Sequence, residues 1–413
     1  MRRYRVLCAV VISILTGCVR NAAERQILHL SCQTDSIPYR IPAVAQLRDG
    51  SLMSLADYRH CLTDIGFGRV DIRGRILDRW GRKWGEEFVL IEGTGVSDAV
   101  DCGYGDPAIV ADRESDEILV SLVCGNTIYW HPSTTRQNPN RASLMRSMDG
   151  GETWSLEEVT EDIYSLFDDA PQGCVQSCFI ASGSIFQSEI IKVGSHYRIY
   201  AALTARPNGN RVLYSDDFGR TWSVLGGLDA LPALYGDEAK CAELPDGRVV
   251  LSSRAMGGRY FNIFTYTDIG TAAGSWGEAA PSGRRVNGCA SVENACNGAL
   301  LIVPALRNSD GKQVWLALQS VPFGPKRANV GIYAKELPED LSAISPESFA
   351  ADWNMKYQIS DTWSAYSTMI QLRNGDIAFY HEESHNGMDD TYDMIYQELS
   401  VDTITSGRYT AVR

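Results

Sequence analysis

An arginine stands where a buried strand has no use for a charge. In "DSIPYRIPAVAQLRDG", residues 35–50, Ile41, Val44 and Leu47 are apolar and Asp49-Gly50 closes the run as a turn, yet Arg40 sits immediately before Ile41-Pro42. Two readings are open: a solvated side chain at a strand start, or a charge aimed into a pocket for an anion. A planar guanidinium can clamp a carboxylate through two parallel hydrogen bonds, which a lysine cannot do. Other chemistry-bearing patterns are absent, since the chain has no P-loop, HExxH, Gly-x-Ser-x-Gly or CxxC. Its six histidines (His29, His60, His131, His196, His381 and His385) are scattered. His381 and His385 fall in an expected strand and loop rather than on a helix face. No metal and no cofactor is expected.

The elements that must position such residues announce themselves as repeats. "SMDGGETW" (147–154) and "SDDFGRTW" (215–222) share the pattern S-x-D-x-G-x-T-W. Two degenerate copies flank them: "LDRWGRKW" (77–84), with Arg79 at the aspartate position, and "YTDIGTAAGSW" (266–276), with extra residues before Trp276. The pattern reads as a hairpin turn in which Asp and Ser bond the backbone, Gly takes a positive φ, and Trp packs under the next strand. "EILVSLVCG", "HYRIYAALTA" and "GRVVLSSR" read as short strands bounded by turns, and long periodic helices are missing. One such turn per sheet suits an all-β propeller.

Bulk properties narrow the field further. The chain has 413 residues, is 44% hydrophobic and carries a formal charge of −13 without any basic run, which argues against nucleic acid as a partner. "MRRYR", "VLCAVVISIL" and "LTGC" read as the n-region, h-region and end of an export signal. "LTGC" resembles a bacterial lipobox, which makes Cys18 the expected lipidation site and the chain an exported, membrane-anchored protein. Residues 1–18 are thus assigned to the signal, 19–34 to a short lead-in and 35–413 to the propeller domain. Nine cysteines follow the leader, an odd number. Cys174/Cys178 and Cys289/Cys296 are near enough in sequence to be bridged, although connectivity is not readable.

The repeats are similar to the Asp boxes of the sialidase (neuraminidase) family, whose catalytic domain is a six-bladed β-propeller. Because such boxes recur in propellers of other function, the function must come from a site. Tyr39-Arg40-Ile41-Pro42 resembles the family motif whose arginine is one of three that bind the sialic acid carboxylate. The resemblance continues in order. "ADYRHCLTDIGFG" places Arg59 against the sugar and Asp64 as acid/base, with Asp57 and Asp71 as competitors, and "GYGDPAIV" places Asp106 as a substrate contact. "YGDEAKCAELPDGRVVLSSR" supplies Glu238 and the second arginine, Arg254. Glu243 is the alternative carboxylate there, expected to face solvent beside its turn. "SVPFGPKRANVGIYAK" supplies Arg327, with Arg307 as rival. "SAYSTMIQLRNGDIAFYHEES" supplies the nucleophile Tyr366 and then Glu382 to orient Arg40. Glu383 competes with Glu382, one residue on and on the other strand face.

These residue types suit one reaction. Most retaining glycosidases use a carboxylate nucleophile, and sialidases with tyrosine are an exception. The anomeric carbon of sialic acid already bears a carboxylate, which would repel a second one. A tyrosine arrives neutral, but with an ordinary pKa of about 10 it needs a base beside it. The resemblance therefore implies an exo-α-sialidase acting on sialylated glycoconjugates with retention. The alternatives are a non-catalytic sialoglycan-binding propeller and a trans-sialidase that uses the same catalytic set.

Overall fold

The computed structural model describes residues 24–32, 36–80, 83–387 and 391–412. The expected export signal and Cys18 lie outside these. The described chain forms six sheets of four or five strands, arranged as the blades of a propeller and antiparallel except where Gly183–Ser184 adds parallel to Tyr104–Ala111. The innermost strands of blades one to six are Tyr39–Gln46, Tyr104–Ala111, Ser177–Ile180, Ala239–Glu243, Leu300–Arg307 and Ser364–Gln371. The second strands, which run back antiparallel, include Leu52–Tyr58, Val249–Ala255, Gln313–Pro322 and Ile377–Glu383. Strand starts in the first row and strand ends in the second therefore meet on one face of the ring.

Packing explains why these strands do not alternate cleanly. Leu52–Tyr58 and Ile118–Cys124 are buried at every position, because each blade is covered on both faces by its neighbours. Six apolar clusters fill the six gaps between blades. Leu55 and Ile72 of blade one meet Val120 and Leu122 of blade two, for example, and Tyr380 and Met394 of blade six meet Val44 and Tyr58 of blade one.

The ring is closed by the chain start. Strand Gln26–His29 adds to the outer edge of blade six, pairing Gln26 with Tyr396, Ile27 with Ile395 and His29 with Met394. Residues 26–29 thus belong to the propeller and not to a lead-in, which corrects the boundary expected at residue 35. Leu28 is 4% exposed in the core between blades six and one, a burial that contributes about 2 kcal/mol.

All four box segments connect third to fourth strands, on the face opposite the first-strand starts. In the two full copies Ser147 and Ser215 donate to Asp149 and Asp217 at 2.8 and 2.7 Å, and each aspartate accepts the backbone and side-chain donors of Thr153 or Thr221. Gly151 and Gly219 take φ of +97° and +79°, which favours glycine there. The tryptophans pack differently from expectation. Trp154 joins the core between blades one and two, and Trp222 that between blades two and three, so each box braces the preceding blade. All nine described cysteines are free thiols, including Cys174, Cys178, Cys289 and Cys296. Among the described residues no helix is long and apolar enough to cross a membrane.

Candidate active site

Three innermost strands are bulged where a site residue stands. The ladder register slips between Arg40 and Ala43, between Gly105 and Ala108, and between Ser364 and Ser367, which brackets Tyr366. A bulge re-aims the side chain it carries. In the first two, a non-glycine residue takes a positive φ, 61° at Ile41 and 53° at Asp106, and a proline follows. Pro42 and Pro107 have no N–H to leave unpaired where the ladder is broken. The backbone N–H of Ile41 donates instead to Glu382 Oε1 at 2.8 Å, and that of Asp106 to Asp57 Oδ1 at 3.0 Å.

Glu382, fully buried at the end of its strand, also accepts from Arg40 Nε at 2.8 Å and Nη2 at 3.3 Å, and its Oε2 accepts the backbone N–H of Tyr366 at 3.0 Å. Burial opposes the Arg40 charge, and the Glu382 carboxylate outweighs it, so Arg40 stays cationic. Burial likewise opposes ionisation of Glu382, and Arg40 holds that carboxyl below its usual range.

The Tyr366 hydroxyl is ringed by charge. It donates to Glu238 Oε2 at 2.7 Å and accepts from Arg254 Nη1 at 2.9 Å, while Arg254 Nη1 also donates to Glu238 Oε2 at 2.5 Å. The Arg40 and Arg327 guanidinium carbons lie 5.9 and 5.5 Å from the Tyr366 ring centroid. Three arginines thus surround one phenol. Arg327 has no carboxylate partner among the described residues, which leaves its guanidinium for a ligand. Burial, and then the Glu238 charge, push the Tyr366 hydroxyl well above its ordinary pKa, so it is neutral at rest.

On the opposite wall Arg59 bonds Asp57 Oδ2 through Nε and Nη2 at 3.0 and 2.9 Å, the Thr63 carbonyl at 2.7 Å, and Asp64 Oδ1 at 2.9 Å. Asp57 is fully buried, whereas the Asp64 side chain is 53% exposed on the loop after the strand. Burial, with Asp57 and Asp64 nearby, raises the Asp106 carboxyl well above its usual range. Arg59, Asp64 and Asp106, with Arg40, Glu238, Arg254, Arg327 and Tyr366, line one cavity of about 520 Å³. Among the described residues no group of three or more His, Cys, Asp or Glu is placed to hold a metal ion.

Comparison with known proteins agrees with the propeller fold. No family model matches the chain. A sialidase from Micromonospora viridifaciens is 28% identical over 360 residues, 83% of this chain and 50% of that protein. A sialidase from Paraclostridium sordellii is 24% identical over 320 residues, 74% of this chain and 72% of its own length. The chain is an all-β, six-bladed propeller similar to these sialidases. It spans about half the length of the first of these relatives. The solved structure of a leech intramolecular trans-sialidase, complexed with 2,7-anhydro-Neu5Ac, superposes with a TM-score of 0.68 at 16% identity, covering 94% of this chain and 71% of that one.

Every site residue expected on this sialidase-like propeller lies at the cavity or directly behind it. The rivals lie elsewhere. Arg307 is engaged by Glu336 and Asp310, Asp71 by Arg69 and His60, and Glu383 by Arg25 and His381. Glu243 does not face solvent: it is 7% exposed and accepts from Ser188 Oγ and the backbone N–H groups of Glu189 and Ile190. The bulged strand Phe186–Val193 of blade three covers it, which the adjacent turn could not reveal. Asp57, weighed only as a competitor of Asp64, is a structural partner of both Arg59 and Asp106. Its signal was available, since Asp57 and Arg59 are two residues apart on one strand face.

Proposed function

We propose that the protein is a retaining exo-α-sialidase that removes terminal sialic acid from glycoconjugates. The observation that carries this reading is the 2.7 Å bond from Tyr366 to Glu238 inside a three-arginine pocket. Arg40, Arg254 and Arg327 take the substrate carboxylate, which sets the anomeric carbon over Tyr366. Glu238 accepts the phenol proton as the oxygen attacks, and Asp64 gives its proton to the departing glycoside oxygen. A tyrosyl glycoside results. Asp64, now ionised, takes a proton from water as that water attacks the anomeric carbon. The tyrosine oxygen leaves with the proton held by Glu238, and both groups return to their starting states. Arg59 positions Asp64, and Asp106 contacts the sugar.

Hydrolysis of a fluorogenic sialoside tests the reading. Wild type turns over, Tyr366→Phe does not, and a 2,3-difluorosialic acid reagent adds mass to the Tyr366 peptide. An inactive wild type that still binds sialoside marks a lectin instead, and transfer to added lactose marks a trans-sialidase. The n-region, apolar run and "LTGC" further support export and lipidation at Cys18. Fatty-acid labelling that is lost in Cys18→Ser is the corresponding test.

A further inference from the structure

The hairpin that brings Arg254 into the clamp turns at Met256-Gly257 and returns as strand Gly258–Asp268. Beside that turn lies a second cavity of about 480 Å³, close in size to the pocket described above. Arg284 and Arg285 line it from the short turn Arg284–Val286, which follows strand Ala280–Ser282 of the same blade. Their backbone is braced. The Gly288 N–H donates to the Gly283 carbonyl at 2.8 Å, and the Val286 and Asn287 carbonyls accept from the Asp352 and Trp353 N–H groups at 3.1 and 2.9 Å.

Both arginines are exposed, and among the described residues neither side chain has a hydrogen-bond or ion-pair partner. Carboxylates are not scarce in this chain, since its formal charge is −13 and Arg136, Arg198, Arg220, Arg248 and Arg307 each hold one. Glu293 is the one acid lining the cavity, and it pairs with neither arginine. Like charges on consecutive residues repel, and an anion between them removes that cost. Apolar surface completes the wall: Met256 is 75% exposed and Val286 38%, and Tyr260 and Val292 also line it. An acidic sugar complements both features, its carboxylate taking guanidinium hydrogen bonds and its C–H face covering apolar side chains. The first pocket has the same make-up, with Arg327 likewise unpaired and Val123 and Phe179 in its wall.

We propose that this cavity is a non-catalytic subsite for a second acidic sugar of the same glycan, with Arg284 and Arg285 holding its carboxylate. The proposal deepens the sialidase reading and rests on it: glycans that carry more than one sialic acid become the favoured substrates. The second sugar is the next residue of an α2,8-linked chain or the end of a neighbouring branch, and each presents the same carboxylate to the same two arginines.

Equilibrium titration with free sialic acid should count two sites per chain in wild type and one in the double variant Arg284→Ala/Arg285→Ala. Kinetics then separate the two sources. On wild type, KM for a disialylated glycan should be about tenfold lower than for sialyl-lactose. The double variant should lose that advantage with kcat kept, and its KM for sialyl-lactose should stay within about twofold of wild type. An advantage on α2,8-disialyl-lactose assigns the next residue, and one on a disialylated biantennary glycan assigns the neighbouring branch. No advantage on either, or one that survives in the double variant, overturns the proposal. So does a titration that counts the same sites in both proteins. Wild type that binds sialic acid and cleaves sialyl-lactose while failing these tests leaves the catalytic reading intact. Wild type that does neither removes that reading, and this proposal with it.

Discussion

Asp57 accepts the backbone N–H of Asp106 at 3.0 Å, one blade over from where Glu382 accepts the N–H of Ile41 at 2.8 Å. Both acceptors are the second-last residue of a second strand, and both are fully buried. Each binds an arginine as well, Arg59 or Arg40. The site is thus built twice with one device: a buried carboxylate that pins a bulged, left-handed residue of the following blade and a guanidinium together. Asp57→Asn should lower stability by about 3 kcal/mol by leaving Arg59 under-paired. It should also raise KM for a sialoside more than it lowers kcat. An unchanged KM in a folded variant would remove the pinning role.

Glu382→Gln tests the other copy. It leaves the Arg40 charge buried without its bidentate partner and releases the N–H groups of Ile41 and Tyr366 to a weaker acceptor. Affinity for sialic acid should fall about 100-fold, with a stability loss of about 3 kcal/mol. Calorimetric titration with the free sugar reads the first and denaturant unfolding the second. Affinity within threefold of wild type would contradict the clamp.

The exposed position of Asp64 predicts a dependence on the leaving group. Asp64→Ala should cost about 10³-fold on a sialyl-lactose substrate, whose departing oxygen needs a proton. An aryl sialoside with an acidic phenol should lose about tenfold or less, because it departs as the anion. Equal losses on both substrates would move the acid role to another residue.

Stability should depend on pH through Glu87, which accepts from Tyr39 at 2.8 Å and Arg73 at 2.9 Å and bonds His29 of the closing strand at 2.7 Å. Burial opposes its charge, but these partners bring its pKa down to about 2. A lowered carboxyl pKa adds stability that is complete above the unfolded value, near 4.5, and is lost as pH falls toward about 2. Wild type and Glu87→Gln should therefore differ most above pH 5 and converge near pH 2 in denaturant midpoints. A gap that does not narrow would assign the effect to packing.

The closing strand offers a paired control. Leu28→Ala should cost about 2–3 kcal/mol, because the side chain is buried between the last and first blades. Its exposed neighbour Ile27 points to solvent, so Ile27→Ala should stay within about 0.5 kcal/mol. Thermal unfolding of both variants separates the two positions.

Legibility followed the range of the interactions. The box turns were readable because Ser147, Asp149, Gly151 and Thr153 bond one another within a few residues. Arg40, Arg254 and Tyr366 were readable as a set through a resemblance that preserves their order, although nothing local brings them together. The closing strand was not, since "QILH" has only four residues and its partner lies at the far end of the chain. Glu243 failed for a related reason, its cover coming from another blade. Asp57 was read only as a competitor of Asp64, because its partner, the Asp106 N–H freed by the bulge before Pro107, comes from the next blade.

The direction of that closing strand has a geographical consequence. Gln26 pairs with Tyr396 and His29 with Met394, on a strand that starts at Asp393 on the pocket face. The chain therefore joins blade six running from the box side toward the pocket side. Seven residues separate Cys18 from Gln26, and the eight steps between them span at most about 29 Å even fully extended. A lipid on Cys18 would moor the propeller close to the bilayer by its back, its mouth turned outward.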